Sequence, residues 1–264
     1  MRKLDAYILK RMVFSFILLD LAYRYFSSAL FHDLSGAVIP FTSLDLLYIG
    51  FHILGFPQKL MTPPLGIIFD LLLILSAIIS IFKVEWRWPT IACGLLLFIY
   101  MIVFNSYTNH HYHSLIGVIL MTVPFYFKSE KSMSLSWQSV RYYFIFIFVS
   151  ASLWKLFRGA IFDGDHMVAI LKEQHLLSLA DNSNVFIEYL ISHSHMSQLL
   201  FISAFTCQFL FVFGLFSRKF DFILLILLLI FMTMNLIVMH VFSFELMILG
   251  LTLIFTPIVR KNPV

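Results

Sequence analysis

Long, nearly unbroken apolar runs separated by short polar breaks organise this chain of 264 residues. A helix needs roughly 20 apolar residues to cross the hydrocarbon of a bilayer. Runs of that kind lie at about 12–31, 65–83, 89–107, 112–127, 139–159, 197–216, 220–240 and 243–258. The pattern predicts an all-α, polytopic membrane bundle of about eight transmembrane helices. The fourth and eighth runs are short. Pro124 and Pro257 fall near their ends, where a membrane helix tolerates a lost hydrogen bond. There is no internal repeat and no low-complexity segment, so one membrane domain is expected over residues 1–264.

Composition agrees with the pattern. The chain is 61% hydrophobic and 12% charged, with a mean hydropathy of +0.93. Soluble domains are about half apolar and about a quarter charged. The apolar sequence from Met12 runs on into Arg24 without a small-residue cleavage pattern, so no cleavable signal peptide is expected. A pI near 9.0 calls for no nucleic acid, because cytoplasmic loops of membrane proteins are basic in any case. Cys93 and Cys207 sit inside apolar runs and read as small core residues.

Charge sets the orientation. With the N-terminus inside, 13 of the 18 basic residues fall in inner segments, Arg2, Lys10, Arg87, Lys128 and Arg218 among them. The exceptions are Arg24, Lys59, Lys155, Arg158 and Lys172. The bias predicts eight crossings with both termini cytoplasmic. All ten histidines then lie on the outer side or in the outer half of a helix. Three of them, His110, His111 and His113, crowd the polar hairpin "NSYTNHHYHS" between the third and fourth runs.

Several ionisable residues lie deeper. Asp20 and Arg24 are in the first run, Asp70 opens the second, Lys155 lies in the last turns of the fifth, and His240 and Glu245 flank the final turn. Such charges cost about 2.5–3.5 kcal/mol each on insertion scales, so they pair or line a cavity. Together they suggest an outward-opening polar pocket. Bland readings stand beside it. Lys155 near a helix end can simply snorkel. The histidine island can be an interfacial loop. Asp20 and Arg24, four apart on one face, suit an internal ion pair. A metal would need three or four converging ligands. No HExxH, CxxC or helical HxxxH is present, and none is predicted.

The outer connection 159–196 is expected to form a helical lid. "MVAILKEQHLLSLA" spaces Met167, Val168, Ile170, Leu171, Leu176 and Leu177 around Lys172, Glu173 and His175, and "NVFIEYLI" repeats the pattern. That spacing suits helices lying on a membrane surface or capping a pocket.

Three stretches carry a family resemblance. "TNHHYHSLIGVIL" resembles the hairpin that opens a transmembrane helix in the vitamin K-dependent gamma-carboxylase (HTTM) family, through Asn109, His110 and Tyr112. "RYYFIFIFVSASLWKLFRGAIFDGDHM" resembles that family's next signature, through Ala151, Lys155, Leu156 and Gly164. "FMTMNLIVMHVFSFELMIL" resembles its penultimate helix and the start of its last, through Phe242, Ser243 and Phe244. The stretches occur in the family's order over about residues 90–258.

The resemblance implies a chemistry. In the carboxylase an intramembrane lysine deprotonates a reduced quinone of the vitamin K or menaquinol type. Oxygen converts the quinone to an epoxide. The strong base so formed takes a proton from a glutamate gamma carbon, to which carbon dioxide adds. Lys155 stands at that lysine's position, with His110 as a donor to a quinol oxygen. Asn109, Tyr112, Asp70, Arg24, His240 and Glu245 would line the quinone or substrate pocket. Two departures matter. Met232 occupies a position where the family often has histidine, and the family's large extracytoplasmic domain is not expected after the bundle. The expectation is therefore a quinol-linked enzyme in a bacterial inner or plasma membrane. The alternative is a non-catalytic or partner-dependent subunit in the maturation or export of a small secreted peptide. A transporter would show paired halves with broken helices, which are not seen in the sequence.

Overall fold

The computed structural model describes residues 2–36, 46–55, 60, 62–106, 113–180 and 184–258. It is a helical membrane bundle, and the chain is a multi-pass integral membrane protein. Two compact units divide it: Met1–Arg141 with Phe244–Val264, and Tyr142–Ser243.

The first unit begins with strand β1 (Arg2–Leu4) and helix α1 (Ala6–Phe26). Asp5 caps α1 by accepting from the Tyr7 amide at 2.8 Å. This cap starts the helix ahead of the apolar run at 12–31, and Ser28, at φ 50°, stands in the turn beyond its end. A 3-10 segment (Phe31–Gly36) and α2 (Leu46–Ile53) follow. Helix α3 (Pro63–Phe82) opens on two prolines, whose missing amides cost nothing in a first turn. Then come α4 (Trp88–Ser106), α5 (His113–Thr122, prolonged by a 3-10 turn to Tyr126) and α6 (Glu130–Phe157). Helix α13 (Phe244–Ile254) and strand β2 (Phe255–Pro257) return to this unit at the end of the chain. Within it α1 packs on α3, α3 on α4, α4 on α5, and α13 on both α5 and α1.

Small residues let these helices close. A Cβ added to Gly117 of α5 would lie 2.5 Å from Leu249 of α13, and one on Gly94 of α4 would lie 2.0 Å from the Tyr126 hydroxyl. Helices in lipid associate by such close approach, since burying apolar surface gives them little drive there.

The second unit holds the rest of α6, then α7 (His166–Gln174), α8 (Leu176–Ala180), α9 (Val185–Ser192), α10 (Ser194–Phe209), α11 (Phe213–Phe216) and α12 (Asp221–Met239). An aromatic cluster centres it. Phe148 stacks on Phe211 at 4.3 Å and meets Phe231 edge-on at 5.4 Å. Helices α7 and α9 fold onto α10 around Met167, Leu171, Ile187, Leu190 and Phe201. The described residues 166–180 and 185–192 are thus helical, with a break at His175.

Among the described residues, five segments are long and apolar enough to cross a membrane: Pro63–Phe82, Trp88–Ser106, Glu130–Phe157, Ser194–Phe216 and Arg218–Met239. The other three of the eight expected runs differ in kind. Helix α1 is 21 residues long but contains Lys10, Arg11, Asp20 and Arg24. Ser114–Tyr126 and Phe244–Ile254 are shorter apolar helices. At 1.5 Å per residue an 11-residue helix covers about 16 Å, short of a hydrocarbon core of about 30 Å. The bundle is not purely helical either. Strands β1 and β2 pair in parallel, Arg2 with Phe255 and Leu4 with Pro257. The Trp137 indole fastens the ribbon by donating to the Phe255 carbonyl at 3.0 Å.

Candidate functional site

The deep charges of the first unit converge on Arg24. It sits in the last turn of α1, one turn beyond Asp20, and its Nε donates to Asp20 Oδ2 at 3.0 Å. This is the internal pair that the spacing predicts. The guanidinium then reaches two further helices. Nη1 donates to the Tyr100 hydroxyl of α4 at 2.9 Å, and Nη2 donates to Glu245 Oε1 of α13. The rings of Tyr100 and Phe104 lie 5.2 and 4.9 Å from the guanidinium carbon. Tyr100 donates in turn to the Ala29 carbonyl at 2.5 Å. Asp20, Arg24 and Glu245 are all buried. Asp20 Oδ1 and Glu245 Oε2 are buried with no hydrogen-bond partner.

Asp70 belongs to the same unit but to another cluster. Its carboxylate accepts from the backbone amides of Phe31 and His32 at 3.1 and 3.0 Å, and it meets His32 Nδ1 at 2.7 Å. Stacking of Phe31 on Phe69, at 4.1 Å, holds the 3-10 segment over α3. Asp70 is therefore a clamp on the turn that follows α1.

The start of α1 carries a third polar cluster that the sequence reading did not single out. Lys10, almost fully buried, donates to the carbonyls of Val84 and Trp86 at 2.9 and 2.7 Å. It borders a cavity of about 450 Å³ that Arg87, Lys128, Glu85 and Glu130 also line. Its place just before the first apolar run is visible in the sequence. Its carbonyl partners, more than 70 residues away, are not.

In the second unit Lys155 lies in the last turn of α6. Its Nζ donates to Gln208 Oε1 of α10 at 2.8 Å and lies 5.2 Å from the Phe201 ring centroid. Neither partner is a carboxylate. The neighbours along the chain, Trp154 and Leu156, point outward and are exposed. The lysine's environment thus comes from α10 rather than from its own helix. His240 ends α12 in the left-handed region at φ 52° and meets the His175 ring edge-on at 4.9 Å. His175 is buried against the Val238 carbonyl at 2.8 Å.

The predicted site residues therefore fall into separate groups. Arg24 and Glu245 are joined directly. Asp70 caps a turn. Lys155 and His240 belong to the second unit, each with partners of its own. Asn109, His110 and Tyr112 lie outside the described residues. Among the described residues no three His, Cys, Asp or Glu side chains are grouped to hold a metal ion. Comparison of the chain with protein-family models, curated proteins and solved structures finds no match.

Proposed function

We propose that this membrane protein is a quinol-linked enzyme resembling the membrane core of the vitamin K-dependent gamma-carboxylase (HTTM) family, with Lys155 as its base. The observation that carries the reading is the setting of Lys155. It is an amine near the end of a 28-residue helix, held by a neutral amide and a phenyl ring. A base must be able to release and take up a proton near its working pH, and a carboxylate partner would hold that proton in place.

The same residues fit a reduced quinone. A quinol is a flat ring edged with hydroxyls, and Lys155 and Gln208 supply polar atoms to meet such a hydroxyl, with the buried Phe201 ring packed beside the amine. When bound, the quinol supplies the reducing electrons for reaction with oxygen. The protein's part is positional and acid–base. Gln208 fixes Nζ by accepting a hydrogen bond from it. As the free amine, Lys155 takes a proton from a hydroxyl set within hydrogen-bond reach.

We place the protein in a bacterial inner or plasma membrane, and the basic bias of the inner segments supports eight crossings with cytoplasmic termini. The ribbon of β1 and β2 supports it too, since it brings the entry to α1 beside the exit from α13. Helix α1, and the two short helices together with the residues that continue them, would supply the crossings beyond the five apolar ones.

A second reading is a subunit that serves a partner in maturation or export of a secreted peptide. Turnover separates the two. Purified protein in lipid nanodiscs, given menaquinol and oxygen, is expected to form an oxidised quinone product. Binding of the quinol without turnover would overturn the enzymatic reading.

A further inference from the structure

We infer that Asp20, Arg24 and Glu245 form a proton-binding site inside the bundle, a guanidinium shared by two carboxylates that together carry one exchangeable proton. Arg24 uses Nε on Asp20, Nη1 on the Tyr100 hydroxyl and Nη2 on Glu245. Each carboxylate is thereby held through one oxygen. The other oxygens, Asp20 Oδ1 and Glu245 Oε2, are buried without a partner. With both acids ionised, one positive charge would face two negative ones. An excess buried charge is among the costliest things a protein interior can hold. A proton on either free oxygen removes that excess and leaves both bonds to Arg24 in place.

Among the described residues the ion pairs of Asp20 and Glu245 both run to Arg24. Helix α4 contributes the Tyr100 hydroxyl, already donated to Ala29, and the Phe104 ring. On α3, Asp70 is committed to His32 and to the backbone of the 3-10 segment. Residues 114–122 of α5 and strand β2 contain no ionisable side chain. Lys10 and Arg11 share α1 but lie about 20 Å along it from Arg24. The cluster also lies close to a surface. Arg24 is in the last turn of α1, just before the exposed Ser27 and Ser28, and Glu245 is the second residue of α13. A proton therefore reaches it without crossing the bundle.

The inference is independent of the role given to Lys155, and its test requires no turnover. Infrared spectra of the protein in lipid nanodiscs at neutral pH are expected to show a buried carboxylic-acid carbonyl band that shifts in deuterium oxide. Asp20→Asn and Glu245→Gln should each abolish that band, because each leaves a neutral one-to-one pair with Arg24. Asp70→Asn should leave it in place. Either amide keeps the shape of the protonated acid, so each single variant should melt near the wild-type temperature. The double variant, with Arg24 unpaired, should melt lower. A wild-type protein without the band, or a band that survives either single substitution, would overturn the shared proton.

Discussion

Asp70 carries three donors on one carboxylate, two of them backbone amides of the turn after α1. Replacing it with asparagine keeps the shape and removes the charge that those bonds rely on. Hydrogen bonds to a charged group contribute about 1.5–3 kcal/mol each, so Asp70→Asn should lower the melting temperature measured in detergent. An unchanged melting temperature would show that the clamp contributes little. Single residues also show what a sequence reveals and what it hides. The Asp20–Arg24 pair is legible because a spacing of four puts both side chains on one helix face. The bond from Arg24 to Glu245 spans 221 positions, and no local spacing encodes it. Gln208 was missed for a different reason. A neutral residue inside an apolar run looks like tolerated polarity until a lysine is seen to point at it.

Helices were legible wherever an apolar run was long, as the five crossing segments are. Their ends were not always so. Helix α1 begins well before its apolar run because Asp5 caps it, and a cap acts through one hydrogen bond that hydropathy does not register. The ribbon of β1 and β2 is three residues a side, too short to show alternation. The lid pattern of "MVAILKEQHLLSLA" did mark helix, but it did not mark the break at His175, whose ring meets the Val238 carbonyl of another element. Packing between elements gives a prediction of its own. Gly94→Ala places a methyl against the Tyr126 hydroxyl, which is 2.6 Å from the Thr122 hydroxyl. Overpacking of this kind costs about 1–3 kcal/mol. Thermal unfolding should show the loss, and adding Tyr126→Phe should recover part of it. Equal stability of the Gly94→Ala and wild-type proteins would contradict the close approach of α4 to the turn after α5.

For the whole molecule, the proposed topology places the α6–α7 connection outside and the α5–α6 connection inside. In a background lacking Cys93 and Cys207, a cysteine at the exposed Asp163 should react with an impermeant thiol reagent on intact cells. One at the exposed Ser129 should react only after the membrane is opened. The reverse labelling would overturn the orientation drawn from the basic residues. The central claim is that Lys155 acts as a base. Lys155→Met removes a charge from a membrane helix, so it should insert at least as well as wild type. As a base knockout it should lose about 10²-fold or more in quinol turnover. Arginine separates charge from chemistry, because a guanidinium stays protonated and cannot act as a base. The most direct measurement is therefore the quinol turnover of purified Lys155→Arg protein in nanodiscs beside wild type. The account predicts a folded protein with turnover reduced as far as in Lys155→Met. A fully active Lys155→Arg protein would contradict it and leave Lys155 as a structural cation bound to Gln208.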